Sequence, residues 1–225
     1  GNARLDRLVG LGRPMQHALK LGLEIGGMVE VSRDVEGIVE MMLDATQHYK
    51  KPLTEERLFG WHAALFPSGY SGMHKIEVGR YRSSEMQIVS GAMGKEKVHY
   101  DAVPAERVKN EMTHFLNWFN EETKIDQVMK AAIAHFWFII IHPFDDVNGR
   151  IARAITDLLL ARADNSTERY YSMSSHIMIE RKQYYAVLQK AQHNSGDITE
   201  WLSWFLHCLK NALIGTETTL HKILR

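Results

Sequence analysis

The chain of 225 residues holds one cysteine, Cys208, so an internal disulfide is excluded. Charge of one sign is also missing: Lys+Arg and Asp+Glu number 27 each, and that balance gives no reason to expect nucleic acid or a membrane surface as partner. No apolar run approaches the roughly 20 residues a bilayer requires, and no signal-peptide pattern is present. Repeats and low-complexity segments are absent too. Together these lead to the expectation of a cytoplasmic protein with no membrane partner. What is there suits one substantial core, since 45% of the residues are hydrophobic and 24% charged. Cys208 falls in the apolar pattern of residues 201–209 and reads as a buried core thiol.

The density of polar chemistry is uneven. Between the apolar stretches 131–141 and 154–161 stand His142, Pro143, Phe144, Asp145, Asp146, Val147, Asn148, Gly149, Arg150, Ile151, Ala152 and Arg153. Pro143 disfavours helix at His142, and Asn148-Gly149 is a breaker, so one helix should end near His142 and the next begin near Asn148. The N–H groups of a helix start attract anions, and Arg150 and Arg153 share one face a turn apart. That pattern asks for a polyphosphate. Asp146 is an oxygen ligand suited to Mg²⁺, and His142 carries the one type of side chain whose unperturbed titration falls near neutrality.

These residues resemble the core motif of the Fic family: His-Pro-Phe, any residue, Asp or Glu, Gly-Asn-Gly-Arg, two residues, Arg. The resemblance implies transfer of AMP from Mg·ATP to a Ser, Thr or Tyr hydroxyl of a target protein, with the chain itself as one conceivable target. In that reading His142 is the base, Asp146 holds the metal, and Asn148, Gly149, Arg150 and Arg153 bind phosphates. Val147 departs from the family pattern, which has glycine there. A positive φ at a β-branched residue costs roughly 1–3 kcal/mol, whereas a negative φ leaves its N–H usable. Phosphate transfer, phosphocholine transfer, removal of AMP, or a catalytically weak protein-binding module therefore stay open beside adenylylation.

Helical spacing predicts helices over residues 53–66, 104–119, 124–141, 177–192 and 198–212, and another that Ser32 caps. Residues 74–82 and 86–90 alternate around a turn-like 83–85 and read as a β-hairpin, with a third short strand at 97–100. The expected fold is all-α with one β-hairpin flap. The expected layout is an N-terminal helical extension at 1–30, a catalytic domain at 31–213 and a C-terminal helical tail at 214–225.

The resemblance further implies that Gln87, Ile88, Val89 and Ser90 form a flap that docks the target by strand addition; a purely structural hairpin is the alternative. It implies that Tyr184, Tyr185 and Gln192 hold the adenosine, against plain packing of tyrosines on an amphipathic helix. Ser32 and Glu36 match a short autoinhibitory pattern whose glutamate would pair with Arg153, although an N-cap with an acidic first turn explains them equally. His135 reads as a hydrogen-bonded core histidine rather than a metal ligand. A homodimer is left open.

Overall fold

The computed structural model describes residues 33–90, 97–193 and 196–223. The expected extension at 1–30 and Ser32 lie outside them. Among the described residues eight helices are present: α1 (Arg33–Gln47), α2 (Glu55–Leu65), α3 (Ala105–Asn120), α4 (Gln127–Ile141), α5 (Asn148–Asp164), α6 (Met173–Ile179), α7 (Arg181–Gln192) and α8 (Thr199–Ile223). Four short strands complete the fold: β1 (Tyr70–Ser71), β2 (His74–Lys75), β3 (Gln87–Ser90) and β4 (Lys97–Asp101). The architecture is helical with a flanking hairpin, as expected.

The helix starts follow local chemistry. Thr54 caps α2 by accepting from the Arg57 N–H, and Asp126 caps α4 by accepting from those of Val128 and Met129. Helix α4 is apolar on nearly all sides and becomes the centre of the bundle, with Ala131, Ala134, His135, Phe138 and Ile141 fully buried. It packs along α5, against which α1 also lies. At Gly37 helix α1 comes so close to α2 that an added Cβ would stand 1.9 Å from the Ala64 carbonyl oxygen. Cys208 is fully buried in α8, and burial pushes its thiol up to about 12.

Three expectations need correction. The hairpin is β3 paired antiparallel with β4, in the register Gln87↔Asp101 to Ser90↔Lys97, rather than 74–82 with 86–90. Residues 76–82 form no strand because their polar groups turn to the loop after α4: the Glu77 N–H goes to the Asp145 carboxylate and that of Arg82 to the Pro143 carbonyl. The helix expected over 177–192 is two, α6 and α7, divided at Glu180; α6 begins earlier because the Ser172 hydroxyl accepts from the Ser175 N–H. Helix α8 is one helix where a core helix over 198–212 and a separate helical tail were expected, and at Gly215 the His176 ring approaches it.

Candidate active site

The loop between α4 and α5 starts and ends in the left-handed region: His142 has φ 50° and Val147 φ 60°. For side-chain-bearing residues such backbone costs roughly 1–3 kcal/mol each and persists only where surroundings fix it. The surroundings here are explicit. Asn148, buried, donates its amide to the Phe144 carbonyl (2.7 Å) and accepts from the Phe144 N–H (3.0 Å), closing the loop on itself. Phe144 is fully buried, stacked on His62 at 4.4 Å between centroids and edge-on to Phe59.

A strap formed by residues 71–82 holds the loop from outside. Arg82, 2% exposed, donates to the carbonyls of His142 (2.7 Å), Ser84 (2.7 Å), Ile141 (3.3 Å) and Val103. It thereby satisfies the orphan carbonyls at the end of α4 and ties them to the base of the hairpin. The Ser71 hydroxyl donates to Asp146 at 2.5 Å, and the second Asp146 oxygen accepts from the Val147 N–H at 2.6 Å.

The loop opens onto a cavity of about 570 Å³ lined by Met86, Gln87, Ile139, His142, Asp145, Asp146, Val147, Asn148, Gly149, Arg150, Arg153, Ile177, Met178, Arg181, Tyr184, Tyr185, Leu188, Gln189 and Gln192. Its two ends differ. At the loop end sit two arginines, two aspartates and the start of α5, where the N–H groups of Arg150 and Ile151 both bond the Val147 carbonyl. The amides of Asn148 and Gly149 thus have no intrahelical acceptor, and no atom lies within 4 Å of where a Gly149 Cβ would stand. At the α6–α7 end sit apolar side chains, two tyrosines, two glutamines and one arginine, Arg181.

His142 presents a neutral imidazole to the cavity. Its Nδ1 lies 3.1 Å from the Ile139 carbonyl, which can only accept, so Nδ1 carries the proton and Nε2 the lone pair. Desolvation holds the imidazole down at about 4, against the help of the Ile139 bond, so it is neutral at pH 7.

His142, Asp146, Val147, Asn148, Gly149, Arg150, Arg153, Tyr184, Tyr185 and Gln192 all line this one cavity. Two of them already have polar groups engaged within the protein. The Asn148 amide bonds the Phe144 backbone through both its nitrogen and its oxygen, bracing the loop, and the Tyr184 hydroxyl bonds His135 at 3.0 Å. Of the flap, Gln87 borders the cavity, and the β3 backbone has no strand on its other edge among the described residues. Glu36 is exposed on α1 and is not among the residues that line the cavity with Arg153. Sequence reasoning missed Arg181, Gln189, Asp145, Arg82 and Ser71. Stepping by helical turns from Tyr185 reaches Arg181, Gln189 and Gln192; Arg82 and Ser71 act across the fold and left no local signal. No group of three His, Cys, Asp or Glu among the described residues could hold a metal alone, and none of their helices is long and apolar enough to cross a membrane.

Residues 52–160 match the Fic/DOC family. Protein adenylyltransferase fic-1 of Caenorhabditis briggsae is 26% identical over 154 residues, 64% of this chain and 29% of that protein. Protein adenylyltransferase Fic of Nematostella vectensis is 28% identical over 154 residues, 67% of this chain and 32% of its own length. The chain therefore spans about a third of these relatives. Among solved structures, a Fic family protein from Desulfovibrio desulfuricans G20 superposes with a TM-score of 0.70 at 25% identity, covering 97% of this chain and 66% of that one. A Fic domain-containing signaling protein from Bacteroides thetaiotaomicron VPI-5482 gives 0.66 at 21% identity, covering 95% and 86%.

Proposed function

The chain belongs to the Fic/DOC family through its domain at residues 52–160, and from that premise we propose that it transfers AMP from ATP to a hydroxyl of a target protein. The observation that carries this reading is the two-ended cavity. Two arginines and the α5 amides suit a triphosphate, and the tyrosines and glutamines of α7 suit a nucleoside, with neutral His142 between. The names of the relatives, protein adenylyltransferases, agree with it.

In the reaction, the target oxygen forms a bond to the α-phosphorus of ATP while the bond from that phosphorus to the bridging oxygen breaks, releasing pyrophosphate. His142 Nε2 takes the hydroxyl proton. A positioned base of this kind contributes about 10²–10⁴-fold, and its depressed basicity keeps it unprotonated at working pH. Arg150 and Arg153 offset charge building on the transferring and leaving phosphates. Asp146 fits Mg²⁺, which is commonly held by one or two carboxylates plus substrate phosphates; it is exposed, on the cavity wall, and fixed by Ser71 and the Val147 N–H. Bound there, the ion would neutralise phosphate charge and orient the leaving group. The edge of β3 away from β4, on which no strand pairs among the described residues, offers a target backbone a place to add as a strand.

The test is incubation of the chain and a cell lysate with ATP labelled at the α or the γ position. The α label should transfer to protein, the γ label should not, and His142→Ala should abolish transfer while leaving Mg·ATP affinity within about threefold. Transfer of the γ label, or equal labelling by His142→Ala, would overturn the assignment.

A further inference from the structure

His135 lies beneath the cavity on the central helix, fully buried and untouched by the proposed reaction. Both its nitrogens are engaged: Nδ1 is 2.9 Å from Thr156 Oγ1, and Nε2 is 3.0 Å from the Tyr184 hydroxyl. The proton positions follow from one neighbour. Thr156 Oγ1 spends its single hydrogen on the Ala152 carbonyl at 2.9 Å, so toward His135 it can only accept. Nδ1 must therefore donate to Thr156, Nε2 is left with a lone pair, and the Tyr184 hydroxyl must donate to it. Burial, with Arg153 nearby, holds His135 down at about 3, which keeps this neutral arrangement in place.

Tyr184 is 7% exposed and turns that remnant to the cavity. Its ring is fixed from behind by Trp201 and Trp204, at 6.0 and 5.5 Å between centroids, and it meets Tyr185 edge-on at 5.1 Å. Its one polar handle points away from the ligand space. The Ala152 carbonyl that starts the chain belongs to α5, one residue before Arg153, so the phosphate-facing helix and the tyrosine wall on α7 are joined through His135.

We propose that His135, with Thr156, is a positioning residue for nucleotide binding: it locks the Tyr184 hydroxyl as a donor into the core and thereby sets the place of the Tyr184–Tyr185 wall against the ligand. This rests on the nucleotide reading of the cavity and goes beyond it by assigning a function to a residue that touches no ligand.

Two measurements on the full chain test it. Nitrogen-15 spectra of the ligand-free protein at pH 7 should show His135 protonated at Nδ1, with an Nε2 signal that shifts in Tyr184→Phe as an acceptor loses its donor. Protonation at Nε2 would overturn the assignment. Calorimetry with Mg·ATP should show Tyr184→Phe and His135→Phe each weakening binding about five- to tenfold, the loss expected for one buried hydrogen bond. The double variant should be no weaker than either single one, and His135→Gln, whose amide oxygen can accept from Tyr184, should remain within about twofold of wild type. In turnover the effect should fall on KM for ATP rather than kcat. Unchanged affinity in folded Tyr184→Phe, with only the unfolding temperature lowered, would reduce the network to packing. Should His135→Phe not fold, Tyr184→Phe and His135→Gln still decide the matter. Absence of wild-type binding heat would overturn the nucleotide reading and this assignment of role together, whereas normal wild-type binding with unaffected variants would overturn the present proposal alone.

Discussion

Replacing Val147 with glycine puts two opposed terms against each other. The residue sits at φ 60°, ψ 11°, where glycine is at ease and a β-branched side chain loses roughly 1–3 kcal/mol. Against that relief stand about 1.5–3 kcal/mol for removing a valine side chain that is 6% exposed, and about 0.5–1 kcal/mol for the extra freedom of glycine in the unfolded chain. The net should be a loss of about 1 kcal/mol, or about 2–4 °C in unfolding temperature for a chain of this size. Val147→Ala sharpens the test, because alanine gives up most of the burial yet keeps a Cβ in the left-handed region. The glycine variant should thus be at least as stable as the alanine variant, the reverse of the order at ordinary backbone. Thermal unfolding followed by circular dichroism gives the order, and calorimetry with Mg·ATP gives the consequence for the site. Because valine already holds the backbone that glycine would adopt, affinity and transfer should change by less than about threefold. Alanine more stable than glycine by about 1 kcal/mol would refute the backbone argument. A tenfold or larger gain in affinity on going to glycine would show that the valine side chain obstructs the phosphates.

Acid should destabilise the fold well before carboxylates titrate. Burial depresses His62, His135 and His142 to about 4, 3 and 4, so their contribution is fully present above the unfolded value near 6.5 and is lost as pH falls from there toward the folded values. From pH 7 to 5 each group loses about 2 kcal/mol and the three about 6, readable as falling urea midpoints; a flat profile would refute their neutral state in the fold. Arg82→Lys keeps the charge but cannot serve the spread of carbonyls that the guanidinium reaches, so stability should drop by about 3 kcal/mol and AMP transfer with it; urea denaturation and the α-label assay check the pair, and unimpaired transfer would remove Arg82 from the support of His142. Gly37→Ala forces α1 off α2 and should cost about 2 kcal/mol or more, seen as a lowered unfolding temperature; an unchanged one would refute the close crossing.

How much of the site was legible depended on how far apart in sequence its partners lie. His142 through Arg153 could be read because one loop and the first turn of α5 carry them, and helical spacing alone puts Arg150 and Arg153 on one wall. Residues 74–82 carry the alternation of a strand, yet a strand needs its N–H groups for a ladder, and those of Glu77, Gly79 and Arg82 go instead to Asp145, His62 and Pro143. Nothing local distinguishes those two fates. The break at Glu180 was similarly hidden, since its carboxylate is held by Trp204 and Asn211 of α8, more than twenty residues on.

The three desolvated histidines show most plainly what sequence leaves undecided. Each is desolvated and each is neutral, so neither residue type nor burial separates them. Their partners do. In His62, Nδ1 accepts from the Gly79 N–H, which places the proton on Nε2 and leaves a stacking plate for Phe144. His135 has both nitrogens committed to the core. In His142 the Ile139 carbonyl takes the Nδ1 hydrogen and frees the Nε2 lone pair on a residue of the cavity wall. That carbonyl lies three residues back; His142 itself has left the right-handed helix, and Arg82 holds its carbonyl. The lone pair at the cavity thus sits on a residue of strained backbone, held in place by an arginine sixty residues away.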